Sequence, residues 1–194
     1  MDIPSHIDFI AIGASAGGVE ALGALLSKLP AHSPVAMAIV LHVPPDRPSL
    51  LVELFSERCA LPVKEAEDKE RIEPGHIYIA PPNYHLLVEP DYSFSLSVED
   101  AVLYSRPSID LLLDSAAYAY GERMLGVVLT GASSDGAQGL ARVRERGGLG
   151  WVQDPATARA RAMPLAAIDQ AGADRILELN ALASDLASVM ARTN

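Results

Sequence analysis

A serine flanked by small residues marks one turn of this chain: Gly13-Ala14-Ser15-Ala16-Gly17-Gly18 satisfies G-x-S-x-G, a pattern that exposes a hydroxyl on a tight strand-to-helix turn. Such a hydroxyl attacks an acyl carbon once a base removes its proton. Of the five histidines, His42 is best placed to be that base. It follows the apolar run 35–41 and precedes Pro44-Pro45, so it leaves the sheet at the same end as Ser15 if the two strands are parallel. His6 and His32 lie near strand starts, and His76 and His85 among short strands. A third group comes from Thr130-Gly131-Ala132-Ser133-Ser134-Asp135-Gly136, which follows the run 126–129 and precedes a helix. Asp135 there could accept a hydrogen bond from the imidazole, set its tautomer and stabilise the imidazolium. The chain order Ser, His, Asp is no obstacle, because triads are defined by geometry.

Each residue also has a plainer reading. Ser15 and Asp135 could simply cap the helices that follow them, and His42 could be a structural strand-end residue. A dinucleotide loop fits less well, since G-x-G-x-x-G needs glycine where Ser15 stands and the second strand ends in His42 rather than a ribose-binding acid.

The elements that must position these residues alternate. Residues 7–13 read as a strand and 17–29 as a helix with Val19, Leu22, Leu25 and Leu26 on one side. Strand 35–41 and helix 49–58 repeat the unit. Residues 63–68, 77–80, 85–88 and 92–98 are short strands between Pro/Gly/Asn/Asp turns, and they read as hairpins. Helical periodicity returns from Ser108, followed by strand 124–129, helix 136–146, strand residues Trp151-Val152 and a closing helix over 182–190. The alternation predicts one α/β domain over residues 1–194: a doubly wound, mostly parallel sheet with an antiparallel hairpin region at the edge. Ligands of such sheets sit beyond the carboxyl ends of the strands, where Ser15, His42 and the Asp135 loop fall.

Composition narrows the function. The chain has 194 residues, 49% hydrophobic and 21% charged, enough for a real core. A net charge of -10 without basic blocks argues against nucleic acid and anionic membranes, and 5% aromatic residues against single-strand stacking. No apolar stretch is long enough for direct membrane insertion. The lone Cys59 reads as a packing residue, and with no basic, apolar leader at the start a reducing cytoplasm fits best.

Several separated segments together resemble the catalytic domain of the chemotaxis protein-glutamate methylesterase family across essentially the whole sequence. They are Ile12-Gly13-Ala14-Ser15-Ala16-Gly17-Gly18, Leu41-His42-Val43-Pro44-Pro45, Val63-Lys64-Glu65-Ala66-Glu67-Asp68, Pro74-Gly75-His76-Ile77-Tyr78-Ile79-Ala80-Pro81, Arg106-Pro107-Ser108-Ile109-Asp110, Leu129-Thr130-Gly131, Asp135-Gly136-Ala137 and Met163-Pro164. The resemblance implies hydrolysis of glutamate γ-methyl esters on the cytoplasmic helices of methylated chemoreceptors, with glutamine deamidation as a second activity. Ser15 would be the nucleophile, His42 the base and acid, Asp135 the orienting carboxylate and the Ala132 main-chain N–H an oxyanion donor. No metal or organic cofactor is implied. Ala132 and Ser133 stand where methionine and glycine are common, Ser105 where histidine is frequent, and Leu165 where a basic residue is common. The family's familiar N-terminal receiver has no room before the first strand, so a stand-alone form with a separate regulatory protein, or a fragment, is expected. Two other readings stay open: a catalytically silent relative that binds receptors or signalling proteins, and an esterase or amidase of unrelated specificity.

Overall fold

A computed structural model of the chain describes residues 6–42 and 50–191. Val43, Pro44 and Pro45 of the His42 motif, Ser49 at the expected helix start, and residues 1–5 lie outside the described residues. The strands β1 (Phe9–Ala14) and β2 (Ala36–Leu41) are buried at every position, as expected for parallel strands covered on both faces. Between them runs α1 (Gly18–Leu26), and after β2 comes α2 (Leu51–Ser56). Then follow β3 (Val63–Glu65), β4 (Ile77–Ile79), β5 (His85–Val88) and β6 (Phe94–Ser97). The second half is α3 (Ile109–Tyr120), β7 (Met124–Val128), α4 (Ala137–Glu145), β8 (Leu149–Gln153), α5 (Ala162–Ala171), β9 (Arg175–Leu177) and α6 (Leu179–Met190).

Seven strands form one sheet in the order β3-β4-β2-β1-β7-β8-β9, every pair parallel. The doubly wound parallel fold expected from the alternation is therefore present. Of the four short strands read as hairpins, only β5 and β6 pair antiparallel, in a separate two-stranded sheet. β3 and β4 instead extend the parallel sheet beyond β2. The turn residues between them mark chain reversals correctly, but a reversal does not decide whether the returning strand pairs with its neighbour.

Side chains alternate between two cores with the two-residue period of a strand. Ile10, Ile12, Met37 and Ile39 face Leu22 and Leu25 of α1, Phe55 of α2 and Leu186 of α6. Phe9, Ala11, Ala38 and Val40 face Leu112 and Leu113 of α3, Val143 of α4 and the hairpin residues Leu86 and Phe94. Cys59 packs against the first core, as its isolation in the sequence suggested. From β1 the chain passes to β2, crosses to the edge strand β3, comes back to β4 between them, and later enters β7 on the other side of β1. That reversal opens a crevice at the carboxyl ends of β2, β1 and β7.

Gly13 shows how tightly this edge is built. A Cβ there would stand 2.2 Å from Cγ2 of the fully buried Ile109, the first residue of α3. Being β-branched and enclosed, Ile109 cannot swing aside. Gly13→Ala is therefore expected to lower unfolding free energy by about 1–3 kcal/mol in a denaturant titration. An unchanged midpoint would show that the α3 start tolerates displacement.

Candidate active site

Ser15 and His42 leave the carboxyl ends of adjacent strands, for Ala14 is in register with Leu41. The His42 N–H donates to Ala14 O at 3.1 Å, and the Ser15 N–H donates across the crevice to Thr130 O at 3.0 Å. Ser15 does not cap α1: the cap position is Gly17, at φ +81 and without a side-chain hydrogen bond. The left-handed conformation there is open to glycine at no steric cost, and a Cβ would meet Arg159 at 2.8 Å.

His42 and Asp135 meet. His42 Nε2 lies 2.9 Å from Asp135 Oδ2, with the histidine side chain 13% exposed and the aspartate fully buried. Asp135 does not cap α4, whose cap position is Gly136. Its carboxylate closes the N-terminus of α3 instead. Oδ1 accepts from Ser108 Oγ at 3.0 Å and the Asp110 N–H at 2.9 Å, while Oδ2 accepts from the Ile109 N–H at 2.7 Å. Burial opposes ionisation, but the hydrogen bonds from His42 and from the Asp110 and Ile109 amides hold the carboxyl below its ordinary range. A carboxylate can only accept, so the neutral imidazole keeps its proton on Nε2 and turns Nδ1 outward as the acceptor.

Nδ1 faces Ser105 Oγ at 3.4 Å. Among the described residues the Ser15 hydroxyl has no hydrogen-bond partner, so the expected contact between Ser15 Oγ and the ring is not formed. The ring is held by Asp135 through Nε2. His42, Ser105, Arg106, Tyr104, Asp100 and Asn83 border a cavity of about 380 Å³, so the ring faces open space on that side.

Ala132 is exposed, and among the described residues its N–H donates to no acceptor; the same is true of the Ala16 and Gly17 amides at the Ser15 turn. Thr130 joins these two loops, its Oγ1 donating to Ala16 O at 2.8 Å and accepting from the Ala160 N–H at 2.9 Å. Its own N–H is held by Gln153 Oε1 at 2.9 Å. His85, set aside in the sequence as a hairpin residue, accepts the Ser108 N–H on Nδ1 at 3.1 Å and so fixes the start of α3. Ser108, Asp110, Thr130 and Gln153 drew no role from the sequence; Ser108 alone carried a local sign, that of a helix cap. Among the described residues no group of three or more His, Cys, Asp and Glu side chains is placed to hold a metal ion.

A parallel, doubly wound α/β domain with Ser, His and Asp at neighbouring strand ends is the class these features define. A model of the CheB methylesterase family matches residues 10–186, and the chain belongs to that family. A Leptospira interrogans protein is 45% identical over 178 residues, which are 92% of each chain. A Yersinia pestis relative, named protein-glutamate methylesterase/protein-glutamine glutaminase, is 42% identical over 174 residues, 88% of this chain but 50% of the relative. The Escherichia coli O157:H7 protein of the same name is 38% identical over 180 residues, 51% of its length. The crystal structure of the Thermotoga maritima CheB methylesterase catalytic domain superposes with a TM-score of 0.89 at 32% identity, covering 94% of this chain and 98% of that one.

Removing the Asp135 carboxylate strands three donors at the α3 terminus. Asp135→Ala is expected to lose about 3 kcal/mol of stability at neutral pH. Because the folded pKa is depressed, the charge-dependent part of this contribution is complete above the ordinary 3.8 and is lost as pH falls through the lower folded value. The stability difference between the two proteins should therefore narrow in acid. A constant difference at every pH would contradict an ionised Asp135.

Proposed function

We propose that this chain is a cytoplasmic serine hydrolase that removes methyl groups from glutamate γ-methyl esters of bacterial chemoreceptors, and that the same site deamidates receptor glutamines. The observation that carries this reading is the 2.9 Å contact of His42 with a buried, ionised Asp135 beside the Ser15 turn. A silent receptor-binding relative would have no use for that arrangement, and the names of the relatives favour the enzyme over it and over an unrelated esterase.

In this mechanism Ser15 Oγ attacks the ester carbon while His42 Nδ1 takes its proton, Asp135 stabilising the imidazolium formed. The tetrahedral oxyanion rests on main-chain N–H groups, with Ala132 as the donor from the 130s loop. The proton on Nδ1 then passes to the departing methoxide, and methanol leaves an acyl-Ser15. Water, activated by the same ring, attacks the acyl carbon and restores the serine and a glutamate carboxylate. With a glutamine substrate the leaving group is ammonia. The methylated helices of the receptor are the macromolecular partner, and residues 1–194 act as one catalytic domain.

Incubation with methylated chemoreceptor should release methanol from wild type, and Ser15→Ala or His42→Ala should lose roughly 10³-fold or more in turnover. Equal activity in Ser15→Ala would exclude the covalent route. Because the base must be neutral, the rate should rise from acid toward neutrality.

The Ala132 donor makes a separate expectation. Ala132→Met should stay within a few-fold of wild type, since an amide and not a side chain does the work. Ala132→Pro removes the donor and should cost about 10²–10³ in turnover, provided the variant still unfolds cooperatively. Wild-type rates in a folded Ala132→Pro protein would move the oxyanion hole to the Ala16 and Gly17 amides.

A further inference from the structure

Two aspartates exchange helix caps beneath the site. Asp135 stands just before α4 but closes the N-terminus of α3, as described above. Asp110 lies in the first turn of α3 but closes the N-terminus of α4, its Oδ1 accepting from the Gly136 N–H at 2.9 Å and the Gly139 N–H at 2.7 Å. Gly136 is covalently joined to Asp135, so Asp110 grips the chain that carries the orienting carboxylate. Asp135 Oδ1 answers by accepting the Asp110 N–H. The two helix ends meet backbone to backbone: a Cβ on Gly139 would stand 2.8 Å from Asp110 O and 2.7 Å from Leu113 Cβ.

We propose that Asp110 is a positioning residue for the acid–base pair, holding the segment that bears Asp135 and, by its negative charge, strengthening the hold of His42 on a proton. This rests on the reading of His42 as the base. Asp135 has four donors and keeps its charge. Asp110 has two, both on Oδ1, and among the described residues none reaches Oδ2. It is therefore the member of the pair that takes up a proton, its carboxyl pushed up to about 6 by burial and by the Asp135 charge.

The charged and titratable groups around Asp110 come from few elements. Asp135 faces it from the loop before α4, with His42 beyond at the end of β2. On its own helix Asp114 lies 4.0 Å from Arg146, and from the hairpin His85 reaches Ser108. β1, β2 and β7 carry no titratable side chain. α4 offers main-chain N–H groups, its Arg142 and Arg144 being paired with Glu145 and Asp174. As pH rises through about 6, ionisation of Asp110 adds a negative charge behind Asp135 and stabilises the imidazolium.

Asp110→Asn retains an acceptor for Gly136 and Gly139 and removes the charge. The acid limb of kcat/KM for methanol release should move to lower pH by about one unit, kcat should fall several-fold, and KM should change by no more than about twofold. A residue that merely caps α4 would leave the acid limb in place, and that result in a folded variant overturns the proposal. The wild-type protein supplies a test that needs neither variant nor receptor: the Asp110 carboxyl, followed by carbon-13 NMR from about pH 3 to 8, should titrate at about 6 and not at the ordinary 3.8. An Asp110 that titrates at the ordinary value overturns the proposal. Titration at about 6 in a protein that releases no methanol would support the raised Asp110 while defeating the esterase reading.

Discussion

A carboxylate has to stay charged in a dry interior and point at an imidazole, and much of this molecule is arranged around that demand. Asp135 is fully buried, a setting that by itself favours the neutral acid. The N-terminus of α3 reverses the balance, because its first amides are unpaired donors with a partial positive charge. Those amides must lie at the carboxyl edge of the sheet, at the height of His42. Ile109 can come that close only because Gly13 has no side chain, and His85 ties down the Ser108 amide one residue earlier.

On the Ser15 side the same economy of main-chain groups recurs. The Ser15 turn has no side-chain cap; it is fastened by its own backbone and by Thr130, which reaches both the Ala16 carbonyl and the Ala160 segment. Gln153, at the end of β8, holds the Thr130 amide. Three loops separated by long stretches of chain thus form one surface because β1, β7 and β8 are adjacent and parallel. The winding reverses between β1 and β7, the position at which sheets of this kind take their ligands.

The residues that depart from the family resemblance sit where the geometry tolerates them. Ala132 exposes its side chain, and among the described residues its N–H donates to no acceptor, so a change of side-chain bulk leaves that N–H as it is. Ser105 brings a hydroxyl to 3.4 Å from His42 Nδ1 and lines the cavity in front of it.

The parallel class and the placement of Ser15, His42 and Asp135 at strand ends were legible in the sequence because each depends on local signals: apolar runs that stop at glycine, histidine or a polar loop, and small residues that permit a sharp turn. The pairing of β3 and β4 was not legible, since a short strand states its own hydrophobicity but not its neighbour. Nor were α5 and β9: α5 carries Pro164 near its start, and β9 is a three-residue edge strand only partly buried. The cap exchange was hidden for a similar reason. An aspartate before a helix reads as that helix's cap, and a propensity cannot reveal that a second helix end lies closer to its carboxylate. The sequence by itself determined which chemical groups stand at the ends of strands; tertiary structure decided which of them touch, because hydrogen bonds between residues 26 or 93 positions apart depend on how strands order and helices pack.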